Sequence, residues 1–171
     1  EIPLRLVGSE MCIRDRKEVK RTEIANITIT CTDNIKSRLD LWNVLAKVPS
    51  SSYTDNNTPL YWMDFGNTKT AGQVVLGTVP KKIKQPVSTM YETVGSLKVI
   101  TRFVKYARVK EVDSGPSCSL AEALEKQDLF INSTLAQLGC NILWKMFRHG
   151  MIEHHGLFLN LETMKVNPIG V

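Results

Sequence analysis

The stretch Ile24-Ala25-Asn26-Ile27-Thr28-Ile29-Thr30-Cys31-Thr32-Asp33-Asn34, followed by Arg38, sets three polar side chains at a boundary between two patterns. A β-rich apolar run stops at an acid and an amide, and a helical pattern begins. Open α/β sheets bind ligands at the carboxyl ends of their strands, and a carboxylate there can hold magnesium against phosphates. Asp33 is therefore the leading candidate for a metal and nucleotide ligand, with a helix N-cap as its structural alternative. Asn34 either contacts a nucleotide or finishes the turn. Arg38 either neutralises phosphate or is a surface charge. A cation in the first helical turns opposes the helix dipole, which favours a functional role.

Cys118 is the second candidate. It stands immediately before Ser119 and Glu122, an S-x-x-E capping box. A thiol at a helix N-terminus is shifted toward the nucleophilic thiolate; the alternative is a small buried apolar residue. Cys31 and Cys140 lie on apolar elements and are expected in the core. His149, His154 and His155 follow a long helical pattern and read as an exposed loop rather than a metal site. Trp42, Trp62 and Trp144 read as core or dimer-interface anchors.

The elements that must position these groups follow from periodicity. A strand ending at Thr30 is followed by a helix over Asn34–Val48, with Leu39, Trp42, Leu45 and Ala46 on one face. Leu60–Gly66 and Gly72–Thr78 read as an antiparallel hairpin about the turn Asn67–Ala71. Pro80–Pro116 is weakly patterned, with a short basic helix within Leu97–Val109. From the capping box a long helix should run through Leu120, Leu124, Ile131, Leu135, Leu138, Ile142 and Met146 to Gly150. Leu157–Leu161 and Lys165–Asn167 form a last strand pair, closed by Pro168. The order predicts an α/β fold with a mixed parallel and antiparallel sheet and flanking helices.

Composition narrows the functional classes. The chain has 171 residues, enough for one domain with a core. No apolar run approaches the roughly 20 residues of a membrane-spanning helix. The four cysteines are widely spaced with no CxxC pair, which fits a reducing cytoplasm and gives no support to structural zinc. The net charge is +5, yet Pro80–Lys110 holds eight Lys or Arg against Glu92 alone, a local +7 that leaves −2 elsewhere. Such a segment attracts nucleic acid, nucleotide or an acidic partner, or is simply a solvated loop. No RRM, zinc-finger or helix-turn-helix pattern accompanies it.

The segment Thr32-Asp33-Asn34 with Arg38 resembles the "C-T-D-N…R" stretch of the ThiF/MoeB/HesA superfamily, enzymes that adenylate the C-terminus of ubiquitin-like proteins. Gly72-Gln73 stands where that family has its "G-Q" step. More narrowly, YWMDFGN, GQVVLG, PSCSLAEALEKQDLFINSTLAQLGC and GLFLNLETMKVNP are similar to the ThiF family proteins of PRTRC systems. The resemblance covers about Ile24–Val171. It implies a Rossmann-like adenylation fold, ATP and Mg²⁺ as cofactors, a ubiquitin-like protein as substrate and a homodimer. It also implies Asp33 as the magnesium ligand, Asn34 at the nucleotide, Arg38 at the phosphates and Cys118 as acceptor of the activated tail. The family's glycine-rich nucleotide loop is missing, and no G-x-G-x-x-G occurs in the sequence.

Glu1–Arg16 is expected to lie outside the domain. Its piece Leu6–Asp15 resembles a translated sequencing-adaptor read, so residues 17–171 are taken as a partial adenylyltransferase domain that is inactive without the glycine loop. The rival readings are a non-catalytic binding or dimerisation subunit and, behind it, a nucleic-acid-binding module.

Overall fold

A computed structural model describes residues 24–32, 34–48, 58–80, 82–85, 87, 93–104, 106 and 127–171. Asp33, Cys118, Ser119, Leu120, Glu122 and Leu124 lie outside them. The described chain is α/β, with one five-stranded sheet of order β1-β2-β3-β4-β5 and helices on both faces. β1 (Ile27–Thr30) runs parallel to β2 (Tyr61–Asn67), while β3 (Ala71–Thr78), β4 (His154–Asn160) and β5 (Lys165–Gly170) continue antiparallel. The parallel step is made by α1 (Ile35–Leu45). The short α2 (Ile100–Phe103) and the long α3 (Ile131–His149) are the other helices among the described residues.

Strand alternation divides the core. Tyr61, Met63, Val74, Leu76, Leu157 and Leu159 meet Ile131, Leu135, Ile142, Leu143 and Met146 of α3 on one face. Trp62 and Val75 meet Leu45, Ile100, Val104 and Tyr106 on the other, with Leu41 and Trp42 packed alongside. Met63, Val74, Leu76 and Ile131 are completely buried, and each such side chain stabilises the fold by roughly 1.5–3 kcal/mol.

Local chemistry sets the ends of the elements. Asn34 is the N-cap of α1: its Oδ1 accepts from the Ser37 backbone N–H at 2.8 Å and from the Ser37 hydroxyl. The cap is thus Asn34, one residue beyond the acid expected to compete for it. The β2–β3 turn closes where the Thr68 N–H donates to the Ala71 carbonyl at 2.7 Å. At Gly150 the backbone enters the left-handed region with φ 73°, which ends α3 as expected.

Four expectations change. Leu39 is exposed, and the inward face of α1 carries Arg38 instead. The long helix is not continuous from the capping box. Asp128 is tied to the Lys69 carbonyl, its carboxylate accepts from the Phe130 N–H at 2.9 Å, and Leu129 and Phe130 form an exposed turn before α3 begins. The basic helix shrinks to four residues because Val104 leaves it in an extended conformation (φ −86°, ψ 112°). β5 runs through Pro168 to Gly170, a position proline tolerates because β5 is an edge strand.

Gly139 lets α3 lie close to the sheet. A Cβ there would come 2.3 Å from the Phe65 ring and 3.1 Å from Val74. Alanine would gain about 1 kcal/mol of helix propensity, against roughly 1–3 kcal/mol for overpacking. Gly139→Ala is therefore expected to lower unfolding free energy by up to about 2 kcal/mol in chemical denaturation, and Phe65→Leu in the same chain should return part of that loss.

Candidate functional site

Thr30, the last residue of β1, stands opposite Asp64 in the parallel ladder. Asp64 alternates with Met63 and so turns toward α1, where it is completely buried. Its Oδ1 accepts a hydrogen bond from the Thr30 hydroxyl at 2.6 Å, and the Trp62 indole N–H donates to that same hydroxyl oxygen at 2.8 Å. Its Oδ2 accepts from Arg38 Nη1 and from the Tyr106 hydroxyl, the latter at 2.8 Å. Arg38 Nη1 also donates to the Phe65 carbonyl at 2.7 Å, and Nη2 donates to the Thr32 carbonyl. Trp42 of α1 stacks on Trp62 with ring centroids 5.8 Å apart.

Gly66 makes room for this arrangement, since a Cβ there would lie 3.3 Å from both Arg38 Nη atoms. Burial pushes the Asp64 carboxyl up, and the Arg38 guanidinium, Thr30 and Tyr106 pull against it. The Thr30 hydroxyl, the Arg38 guanidinium and the Tyr106 hydroxyl all donate to the carboxylate, which is the pattern of the ionised form. Burial and then the Asp64 charge push the Tyr106 phenol far above its ordinary value, so it remains a donor.

Above this cluster lies the junction that the sequence singles out. Asn34 caps α1 there. The Thr32 hydroxyl oxygen is buried and has no hydrogen-bond partner among the described residues. Unsatisfied buried polar atoms are rare in native proteins, and each calls for a physical explanation. A lone hydroxyl beside a capped helix N-terminus fits an oxygen-bearing anion or a hard cation. Among the described residues no three His, Cys, Asp or Glu side chains converge to hold a metal by themselves. Magnesium sites of the nucleotide type need only one or two carboxylates, since phosphates and water supply the rest.

Arg38 is brought to the junction, though not as a free phosphate ligand or a surface charge. It is buried and its Nη atoms are committed to Asp64, Phe65 and Thr32. Cys31 and Cys140, expected in the core, are both exposed. Cys31 falls where β1 has already ended, and Cys140 on the outer face of α3. The histidines do not share a loop. His149 ends α3, and His154 and His155 open β4. His155 is fully buried with Nδ1 2.7 Å from the Leu76 carbonyl. Trp62 is core, Trp42 half-buried and Trp144 exposed.

Asp64, Tyr106 and Thr30 escaped the sequence reading. The signal was present in YWMDFG: an acid inside an apolar strand requires a buried partner. The identity of that partner depends on tertiary structure. Compared with known proteins, the chain matches no family model and no curated protein.

Removing one member of a buried ion pair leaves the other charge uncompensated, at about 3–5 kcal/mol. Asp64→Ala should lose that much stability in urea unfolding. The double variant Arg38→Met with Asp64→Leu should lose far less than Asp64→Ala alone.

His155 gives a pH dependence of definite sign. Burial pushes its imidazole below the ordinary 6.5. Below that pH the unfolded chain takes a proton that the folded chain refuses, so the folded state loses stability as the solution is acidified. Thermal unfolding should show the midpoint falling from pH 7.5 to pH 5.5. His155→Asn, which can keep a donor to Leu76, should flatten that slope.

Proposed function

We propose that this chain takes part in ATP-dependent adenylation of the C-terminal carboxylate of a ubiquitin-like protein, as a ThiF-type adenylyltransferase. The observation that supports this reading most is the parallel β1-α1-β2 unit with Thr32-Asp33-Asn34 at its strand-to-helix junction, continued by three antiparallel strands. That is the order the family resemblance implies, with the polar strand end where nucleotides bind. The Rossmann-like identity of the fold, a homodimer and a cytoplasmic setting belong to the same proposal. Trp144 and Phe147, exposed on α3, offer a face for the dimer.

In this reading Asp33 holds Mg²⁺, which when bound neutralises triphosphate charge. Asn34 fixes the start of α1, whose N-terminus faces negative charge favourably. Arg38 holds the backbone at Thr32. Cys118 receives the activated tail from the acyl-adenylate as a thioester, with AMP as the leaving group. The substrate carboxylate attacks the α-phosphate of ATP, giving an acyl-adenylate and pyrophosphate. Positioning and charge neutralisation carry the acceleration.

A second reading, a non-catalytic binding subunit of the same system, draws support from the inward commitment of Arg38. ATP–pyrophosphate exchange in the presence of a ubiquitin-like protein separates the two. Exchange is expected from a longer gene product that includes a glycine-rich loop, and none from the 171-residue chain. In the longer form Asp33→Asn should lower exchange by about tenfold or more and raise the magnesium requirement. An unaltered magnesium dependence would remove Asp33 from the metal site.

A further inference from the structure

α3 has two patterned faces, and the sheet covers one of them. Ile131, Leu135, Ile142 and Met146 are buried against the strands. On the opposite side Phe130, Ser133, Gln137, Cys140, Trp144 and Phe147 recur at alternating steps of three and four residues, and all are exposed. At 3.6 residues per turn they form a stripe about 100° wide, with the 3.5-residue spacing by which one helix pairs with another. Phe130 and Trp144 leave 63% and 65% of their surface in water, and Phe147 leaves 44%. At about 150–250 Å² for each aromatic side chain, the three expose roughly 300–400 Å², the scale at which an apolar patch marks an interaction site.

We propose that this stripe docks a second copy of the chain, antiparallel, about a two-fold axis between Gln137 and Cys140. The pairing rests on the homodimer of the functional reading and on no other part of it. In a two-fold interface each residue meets its counterpart reciprocally, and here the sizes match. Trp144 lies over the partner's Ser133, Cys140 beside the partner's Gln137, and Phe147 against the partner's Phe130, so no member of the stripe is left over. Gln137 stands next to the axis, where its amide meets its own copy and fixes the register, as a single polar group does in coiled coils.

Charge selects the direction. α3 has no acidic residue, and Lys145, Arg148 and His149 all lie toward its C-terminal end. Parallel copies would set these groups side by side. Antiparallel copies bring Arg148 and His149 to the partner's Asp128, in the turn before α3, and align the two macrodipoles head to tail. An acidic helix from another protein would also answer the cations, but the size match singles out a second copy.

Sedimentation velocity of the 171-residue chain at about 1–100 µM reads the assembly, because a helix pair buries less than the roughly 800 Å² per partner of a standard complex. The wild-type mass should rise with concentration toward twice 19.3 kDa. Trp144→Glu and Phe147→Glu change exposed positions, so urea midpoints at low concentration should not move. Each should raise the dissociation constant by about a hundredfold, since the lesion enters the interface twice. The direction is read in a chain carrying Cys12→Ser, Cys31→Ser and Cys118→Ser. A short bis-maleimide should join Cys140 to its copy. With Cys140→Ser and Ser133→Cys it should not, because the two new thiols would lie about 16 Å apart along the helix axes.

A chain that stays monomeric at 100 µM, or binds an acidic helical peptide through Trp144 instead of itself, would overturn the proposal. A dimer unaffected by both glutamate variants would overturn the stripe as its interface. Linking through Ser133→Cys would overturn the antiparallel direction. None of these readouts involves ATP, so the pairing and the adenylation reading fail separately.

Discussion

A carboxylate with no solvent exposure in the second strand of the sheet must find its counter-charge inside the protein, and Asp64 finds it in Arg38. An isolated ion in such a place would cost several kcal/mol, so every element that supplies a partner is constrained by it. Thr30 fixes β1 against β2, Arg38 fixes the rotation of α1, and Tyr106 fixes the segment beyond α2. Trp62 joins the same network through the Thr30 hydroxyl and carries Trp42 with it by stacking. The second core is therefore specified by a polar centre with an apolar surround, while the core under α3 rests on apolar packing, with the Tyr61 hydroxyl donating to the Val94 carbonyl.

The two faces differ in what their residues could announce beforehand. Ile131, Leu135, Ile142 and Met146 recur at helical spacing, and that stripe is buried as the period requires. The hairpin of β2 and β3 was equally legible, because alternation and a short polar turn act over neighbouring residues. Arg38 and Asp64 were not legible as a pair. They are 26 positions apart; Arg38 alone reads as a surface charge or a phosphate ligand, and Asp64 alone says only that a partner is needed. The same blindness placed Leu39 inside, since hydropathy ranks leucine above arginine when the partner of the arginine is unknown.

Misjudged boundaries share a different cause. The long helix looked continuous because Leu120, Leu124 and Ile131 keep the period. Asp128 interrupts it by binding the Lys69 carbonyl with its backbone and the Phe130 N–H with its side chain. Local hydrogen bonding of an Asp side chain competes with the helix ladder, and a contact to the β2–β3 turn decides the competition. His155 reads as a loop residue in the sequence for a related reason. Histidine carries no strand signal, and only the Leu76 carbonyl across the sheet makes its buried position favourable.

The strand-end junction combines both kinds of information. Its chemistry is written locally, in Thr32-Asp33-Asn34, and its rigidity comes from residues far along the chain. Asn34 caps α1 with neighbours three residues away, whereas the Thr32 carbonyl depends on Arg38, and Arg38 depends on Asp64. A ligand bound at this junction would meet a backbone whose freedom has already been removed by a buried charge pair on the same face of the sheet. Preorganisation of that kind lowers the ordering cost of binding. It also explains why a buried ion pair, which contributes little to stability compared with an apolar replacement, would be kept beneath a site: a leucine and a methionine could fill the space, but neither could hold a carbonyl in place.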